Sequence, residues 1–378
     1  MKFFLVIGTF QAFFYSILII QKRNKGLNDY ILIVWLLYLG IFIGGYGFFS
    51  EEIFVHYSFL TTSYISLLLL HGPFLYFYTL SLVYPAQKVI RLRQLLHFLP
   101  FLLFNIYIGI MIQHPEALKT LRLDYVTSGD HPSTLFLFFL VITALSGPVY
   151  VVFTINIFRK HDHFILENFS YKEQINLGWI KNVLYSFGIV WTVLIVVTIL
   201  HHVFYLFSAE FCINGMFLSL TAFVIIIGYI GIKQSVIHIP ENVSQISGQT
   251  KQRYAGSGLG KSEAEDYAVK LKEIMNVDKP FLDPKLNINK LAEMVDMPSY
   301  YLSQVINENF GKNFYEFINH YRVEEVKRKI DNGQFKHYSL LGIAYDSGFN
   351  SKATFNRFFK KITGDTPGNY KKKVLEQE

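Results

Sequence analysis

The chain has 378 residues, of which 52% are hydrophobic, 17% aromatic and only 17% charged, against about 25% charged in an ordinary soluble domain. A mean hydropathy of +0.30 excludes an ordinary cytosolic, disordered or collagen-like chain, and a lone cysteine, Cys212, excludes an intrachain disulfide. The length suggests two or three domains at roughly 150 residues each, and the net charge of +7 points to an anionic partner without naming one.

The charge is unevenly spread. Residues 1–240 hold 14 of the 35 Lys+Arg and 10 of the 28 Asp+Glu; the other 138 residues hold 21 and 18. The first part contains seven apolar runs, at 3–20, 30–49, 60–83, 94–112, 133–158, 182–207 and 212–232, with no Asp, Glu, Lys or Arg inside any of them. Runs of about 18 to 26 residues match the helix length needed to cross roughly 30 Å of hydrocarbon. Pro73, Pro100 and Pro148 fall within three of the runs and predict kinks, which neighbouring helices and local 3₁₀ turns accommodate in transmembrane segments. The first run is read as a retained helix and not a secretory signal, because its basic cluster, Lys22, Arg23 and Lys25, follows the apolar stretch.

Orientation follows from the connecting segments. Those at 21–29, 84–93 and 159–181, with the exit at Lys233, carry 11 Lys+Arg; the amino terminus and the segments at 50–59, 113–132 and 208–211 carry 3. The positive-inside bias places the amino terminus outside and the carboxyl-terminal part in the cytoplasm, as an odd number of crossings requires. Spans free of Asp, Glu, Lys and Arg argue against ion-coupled transport and for a sensor whose packing shifts on binding. His56, His114, His131, His201 and His202 fall on the outer side with Glu51, Glu52, Glu116, Asp124, Asp130 and Glu210. Their spacing matches no metal signature, so no metal or cofactor is expected. His161-Asp162-His163 reads as a solvated cytoplasmic loop. No kinase, P-loop, GxSxG or HExxH motif is present, so no enzyme is expected.

The join over 240–263, rich in Ser, Gly, Gln and Asn, reads as a linker. Beyond it, 264–275 has helical apolar spacing. Asn287 caps a helix with Ile288, Leu291 and Val295 on one face, a turn follows at Asp296-Met297, and Pro298 or Ser299 opens a second helix with Leu302, Val305 and Ile306 inward. This helix, turn and helix has the size of a helix-turn-helix. A long amphipathic helix over 314–330 ends at Asp331-Asn332-Gly333. The pattern then repeats about 52 residues on, from Ala292 to Ala344. A helix at 339–347 ends at Gly348, and Ser351 caps a helix burying Phe355, Phe358, Phe359 and Ile362 while exposing Lys352, Thr354, Asn356 and Arg357.

The stretch IAYDSGFNSKATFNRFFKKITGDTPGNY resembles the AraC-family DNA-binding signature, and QVINENFGKNFYEFINHYRVEE resembles the first half and connecting helix of the same domain. The resemblance covers about residues 264–373; Asp296 stands where the first turn often has Gly. The whole arrangement is similar to membrane-embedded AraC-type regulators of bacteria. The resemblance implies an all-α fold: a seven-span transmembrane domain over 1–232, a linker over 233–262 and an AraC-type domain over 263–378. It implies that the second helix of each unit enters a major groove, the two grooves lying about 34 Å apart. By position, Ser299, Tyr300, Ser303 and Gln304 face DNA in the first unit, and Lys352, Ala353, Asn356 and Arg357 in the second. Arg357 suits guanine O6 and N7, while Lys360, Lys361 and Lys371–Lys373 suit phosphates. The expected partners are double-stranded DNA, a lipid bilayer, an unidentified small ligand or membrane signal, and a second copy of the chain as a homodimer. The expected location is a bacterial inner membrane. The alternative is a membrane transporter or enzyme whose cytoplasmic domain tethers nucleic acid.

Overall fold

In a computed structural model of the chain, residues 2–48, 57–84, 92–114, 134–172, 178–202, 204, 206–233 and 260–376 are described. Among them every regular element is a helix, and one isolated bridge pairs Phe169 with Asn287. The fold is all-α. The chain divides into two compact units: Met1–Phe158 with Leu177–Ile237, and Arg159–Asn176 with His238–Glu378. The linker residues 234–259, and His56, His131, Glu51, Glu52, Glu116, Asp124 and Asp130, lie outside the described residues.

The first unit contains α1 (Lys2–Ile20), α2 (Leu27–Phe48), α3 (Ser58–Ser66), α4 (His71–Val83), α5 (Leu99–Ile110), most of α6 (Thr134–Asn168), α7 (Gly178–His202) and α8 (Ala209–Lys233). Seven stretches are long and apolar enough to cross a membrane, by length and composition: Lys2–Ile20, Leu27–Gly47, Thr62–Val83, Leu92–Gln113, Thr134–Asn168, Gly178–His201 and Glu210–Lys233. Trp35, Leu39, Phe42, Phe217 and Phe223 form part of the unit's interior, while Phe10, Ile41, Leu103 and Ile189 stay exposed on helix faces. An apolar outer face is what a bilayer solvates and water does not.

The three prolines act differently. Ahead of Pro73 the helix tightens into a 3₁₀ turn, Leu67–Leu70, and the Tyr38 hydroxyl donates to the Leu67 carbonyl at 2.7 Å. Pro100 sits in the first turn of α5, directly after a 3₁₀ stretch at Leu92–Phe98, where the missing N–H costs nothing. Pro148 lies inside α6, beside Gly147, whose bare Cα lets the Trp191 indole pack where a methyl group would collide. The exposed loop expected from 159 onward is corrected: α6 continues to Asn168, and His161 is buried. No Gly or Pro occurs between Val149 and Leu177 to stop the helix, and Phe164, Ile165 and Leu166 continue its apolar pattern.

The second unit holds α9 (Lys261–Val277), α10 (Ile288–Val295), α11 (Ser299–Phe310), α12 (Phe314–Asp331), α13 (Leu340–Tyr345), α14 (Lys352–Thr363) and α15 (Pro367–Leu375), with the end of α6. One core gathers Leu271, Leu291, Val295, Leu302, Ile306, Phe314 and Phe317; a second gathers Val323, Val326, Ile343, Phe349, Phe355 and Phe359. Helix α12 feeds both, its first turns entering one core and its later turns the other. Arg322 on that helix is buried, donating to the carbonyls of Phe281 and Asp283 at 2.8 Å each.

Candidate nucleic-acid interface

In the first helix-turn-helix, the Asn287 side chain accepts from the Lys290 backbone N–H at 3.0 Å and starts α10. Asp296 then takes the left-handed conformation, φ 59°, that reverses the chain, a geometry aspartate tolerates better than most residues. Leu302, Val305 and Ile306 are buried, which aims the opposite face of α11 outward. Ser299, Tyr300 and Gln304 are half-buried on that face. The Gln304 amide donates to Glu308 at 3.0 Å. Ser303 departs from its expected exposure: it is buried, and its hydroxyl donates to Glu167 at 2.9 Å. Asn307, one turn further along α11, donates to the same Glu167 oxygen at 3.1 Å.

In the second helix-turn-helix, the Ser351 hydroxyl accepts from the Thr354 N–H at 3.3 Å, as read, and the Ser339 hydroxyl accepts from the Gly342 N–H at 3.0 Å, capping the preceding helix. Gly348, φ 89°, supplies the turn, with the Phe281 carbonyl and the Arg322 guanidinium pressed against its Cα. Lys352, Ala353, Asn356, Arg357, Lys360 and Lys361 are exposed on α14. Thr354 is not exposed, contrary to expectation: it is buried, its hydroxyl 3.5 Å from that of Tyr315. Ile362 is half-buried.

Tyr315 was not legible as a site residue, yet it positions the candidate Arg357. Its hydroxyl accepts from Arg357 Nη2 at 2.8 Å, and the guanidinium carbon lies 5.8 Å from the Tyr315 ring centre and 5.2 Å from that of Phe358. A guanidinium held in this way is pre-oriented, so less side-chain freedom is lost when it forms a planar two-pronged contact. Lys361 is paired with Glu316 at 2.7 Å and Lys373 with Asp365 at 2.5 Å, so part of the positive charge is already committed. Among the described residues, no group of three or more His, Cys, Asp or Glu is arranged to hold a metal.

Two capped helix-turn-helix units joined by one long helix define the class of domain, and residues 291–373 match the family model described as a helix-turn-helix domain. The second unit of this chain carries such a domain. An uncharacterized HTH-type transcriptional regulator of Staphylococcus aureus strain COL is 33% identical over 86 residues, which is 23% of this chain and 11% of that protein. The transcriptional regulatory protein HptR of Staphylococcus aureus strain NCTC 8325 is 26% identical over 116 residues, 31% of this chain and 44% of that protein. The chain therefore spans under half the length of these curated relatives. No solved structure matches it at comparable stringency.

Proposed function

We propose that the protein is a membrane-embedded, sequence-specific DNA-binding regulator of transcription and not an enzyme. In this reading α11 and α14 enter successive major grooves on one face of the duplex. The observation that carries it is the surface of α14: Lys352, Asn356 and Arg357 exposed in a row on a helix capped at both ends, with one guanidinium nitrogen of Arg357 held by the Tyr315 hydroxyl. The names of the relatives support regulation of transcription as the outcome.

The seven apolar stretches support a location in a bacterial inner membrane, with the amino terminus outside and the second unit in the cytoplasm. The membrane part would receive a small ligand or membrane signal, and a second copy of the chain would complete a dimer on a paired site. Genome-wide DNA-occupancy mapping of the intact protein tests this. Discrete promoter peaks that vanish with Arg357→Ala are expected; occupancy spread evenly over the genome would contradict sequence-specific reading. Topology is tested in a Cys212→Ser background with single cysteines at Thr127 and at His163, which is exposed, and an impermeant thiol reagent on whole cells. Labelling at position 127 is expected, and labelling at position 163 alone would contradict it.

A further inference from the structure

Residues 164–172 lie on the surface that the proposed function gives to DNA. A Glu167 carboxylate oxygen takes the donors of both Ser303 and Asn307 on the outward face of α11. The segment is anchored behind that contact. The Ser170 backbone N–H and hydroxyl both donate to the Leu286 carbonyl, at 3.2 and 2.7 Å. Arg322 donates to the Ser170 carbonyl and hydroxyl at 3.0 Å each, and the Asn319 amide donates to the same carbonyl at 3.2 Å. Phe169 is fully buried and pairs with Asn287 at the start of α10. The segment also reaches the second half: Leu166 packs on its core, and the Lys172 ammonium stands 5.5 Å over the ring of Tyr315, which orients Arg357.

We infer that residues 164–172 are an internal competitor of DNA, holding the first reading helix closed until they are displaced. The inference rests on the reading of α11 and α14 as DNA-contacting helices. A carboxylate at this place occupies the hydroxyl and amide donors that would meet base edges or phosphates, and it repels phosphate oxygens brought to the same face. Ser303 is buried while the segment is docked, so α11 cannot meet a groove edge and Glu167 together. The docked chain offers DNA the α14 surface, and full two-groove binding draws on the released population alone, weakening apparent affinity by that fraction. The ten bonds and contacts named here are spread over five neighbouring residues, Leu166, Glu167, Phe169, Ser170 and Lys172, so displacement is a two-state event and not a gradual loosening. Glu167 belongs to α6, whose earlier residues up to Phe158 belong to the first unit. A rearrangement of that helix therefore reaches the reading face through continuous backbone, without requiring the linker.

The test uses the full chain in lipid nanodiscs and a DNA duplex selected from a random library by the Glu167→Ala chain. Glu167 is half-buried, so its substitution spares the core. Glu167→Ala should bind the selected duplex about tenfold tighter than the unsubstituted chain, the scale of one or two charge-assisted hydrogen bonds. Glu167→Gln, which keeps an acceptor but no charge, should fall between the two. In the unsubstituted chain, hydrogen exchange of the amides of residues 166–172 should speed up when saturating duplex is added. Equal affinity of the three chains, or unchanged protection of 166–172 with DNA bound, would overturn competition while leaving DNA reading intact. Failure of all three chains to enrich any sequence would overturn the DNA-reading assignment, and the competitor role with it.

Discussion

The two helix-turn-helix units share a pattern but solve it with different residues. The first turns at Asp296 and presents a helix face without Lys or Arg, of which Ser303 and Asn307 are engaged by Glu167. The second turns at Gly348 and presents Lys352, Arg357, Lys360 and Lys361. The basic excess follows the same division: residues 241–310 carry 8 basic and 10 acidic side chains, and residues 311–378 carry 13 and 8. The difference indicates that the repeat has divided its labour. In the proposed reading the second helix-turn-helix would supply the attraction to phosphate, and the first a contact that can be withheld.

The sharpest way to break the comparison is at the turns. A Cβ at Gly348 would meet the Phe281 carbonyl and Arg322 at a positive φ, so Gly348→Ala should cost about 3 kcal/mol or more and unfold the second half. Asp296→Gly, at the equivalent place, should change stability by less than about 1 kcal/mol, because aspartate already adopts the conformation at small cost. Hydrogen exchange of 340–363 and of 288–310 in the intact chain separates the two.

The next effect is on DNA. Arg357→Ala should cost about 1–3 kcal/mol of binding and relax one base preference within one patch. Gln304→Ala should act on the other patch and more weakly, since a neutral amide gives up less than a charged fork. Binding-site selection with each variant reads both the loss and its position.

A smaller effect concerns pH. The Glu325 carboxyl is held below its ordinary value of 4.5 by hydrogen bonds from Arg328, against the opposing effect of burial, with help from Lys279. Its folded pKa lies below its unfolded one, so its contribution is present above about pH 4.5 and is lost as pH falls through the folded value. Lys279 ties the first half to α12 through this carboxylate, so Glu325→Gln should remove about 1 kcal/mol at neutral pH and flatten the acid limb of an unfolding curve. The smallest effect is at Lys361, where Ala should weaken all sequences equally and lower the salt dependence by about one counterion. Glu316→Gln, which releases Lys361 from its ion pair, should strengthen binding slightly in the same assay.

Much of this fold was legible because its signals are local. Caps at Asn287 and Ser351, the stop at Gly348 and the apolar faces of α10, α11 and α14 each announce themselves within four residues. The apolar stretches of the first unit were legible from length and charge alone. What was not legible depends on distant partners. Thr354 has the helical position of an exposed residue, yet Tyr315, on another helix, covers it. The docking of Ser170 onto Arg322 joins residues 152 positions apart. Nothing in the local composition of 159–172 distinguishes a docked helix end from a solvated loop, except the absence of any helix breaker and the apolar run Phe164, Ile165, Leu166. The expected exposure of Ser303 failed for the same reason.

The central claim is that one rigid domain reads DNA with two helices. Binding-site selection on the full Glu167→Ala chain, in which the competing segment is loosened, tests this most directly at fixed salt. Two recognition patches about one helical turn, or about 10 base pairs, apart are expected, with Arg357→Ala erasing preference in one of them alone. A selected sequence with a single patch, or one unaltered by Arg357→Ala, would contradict it.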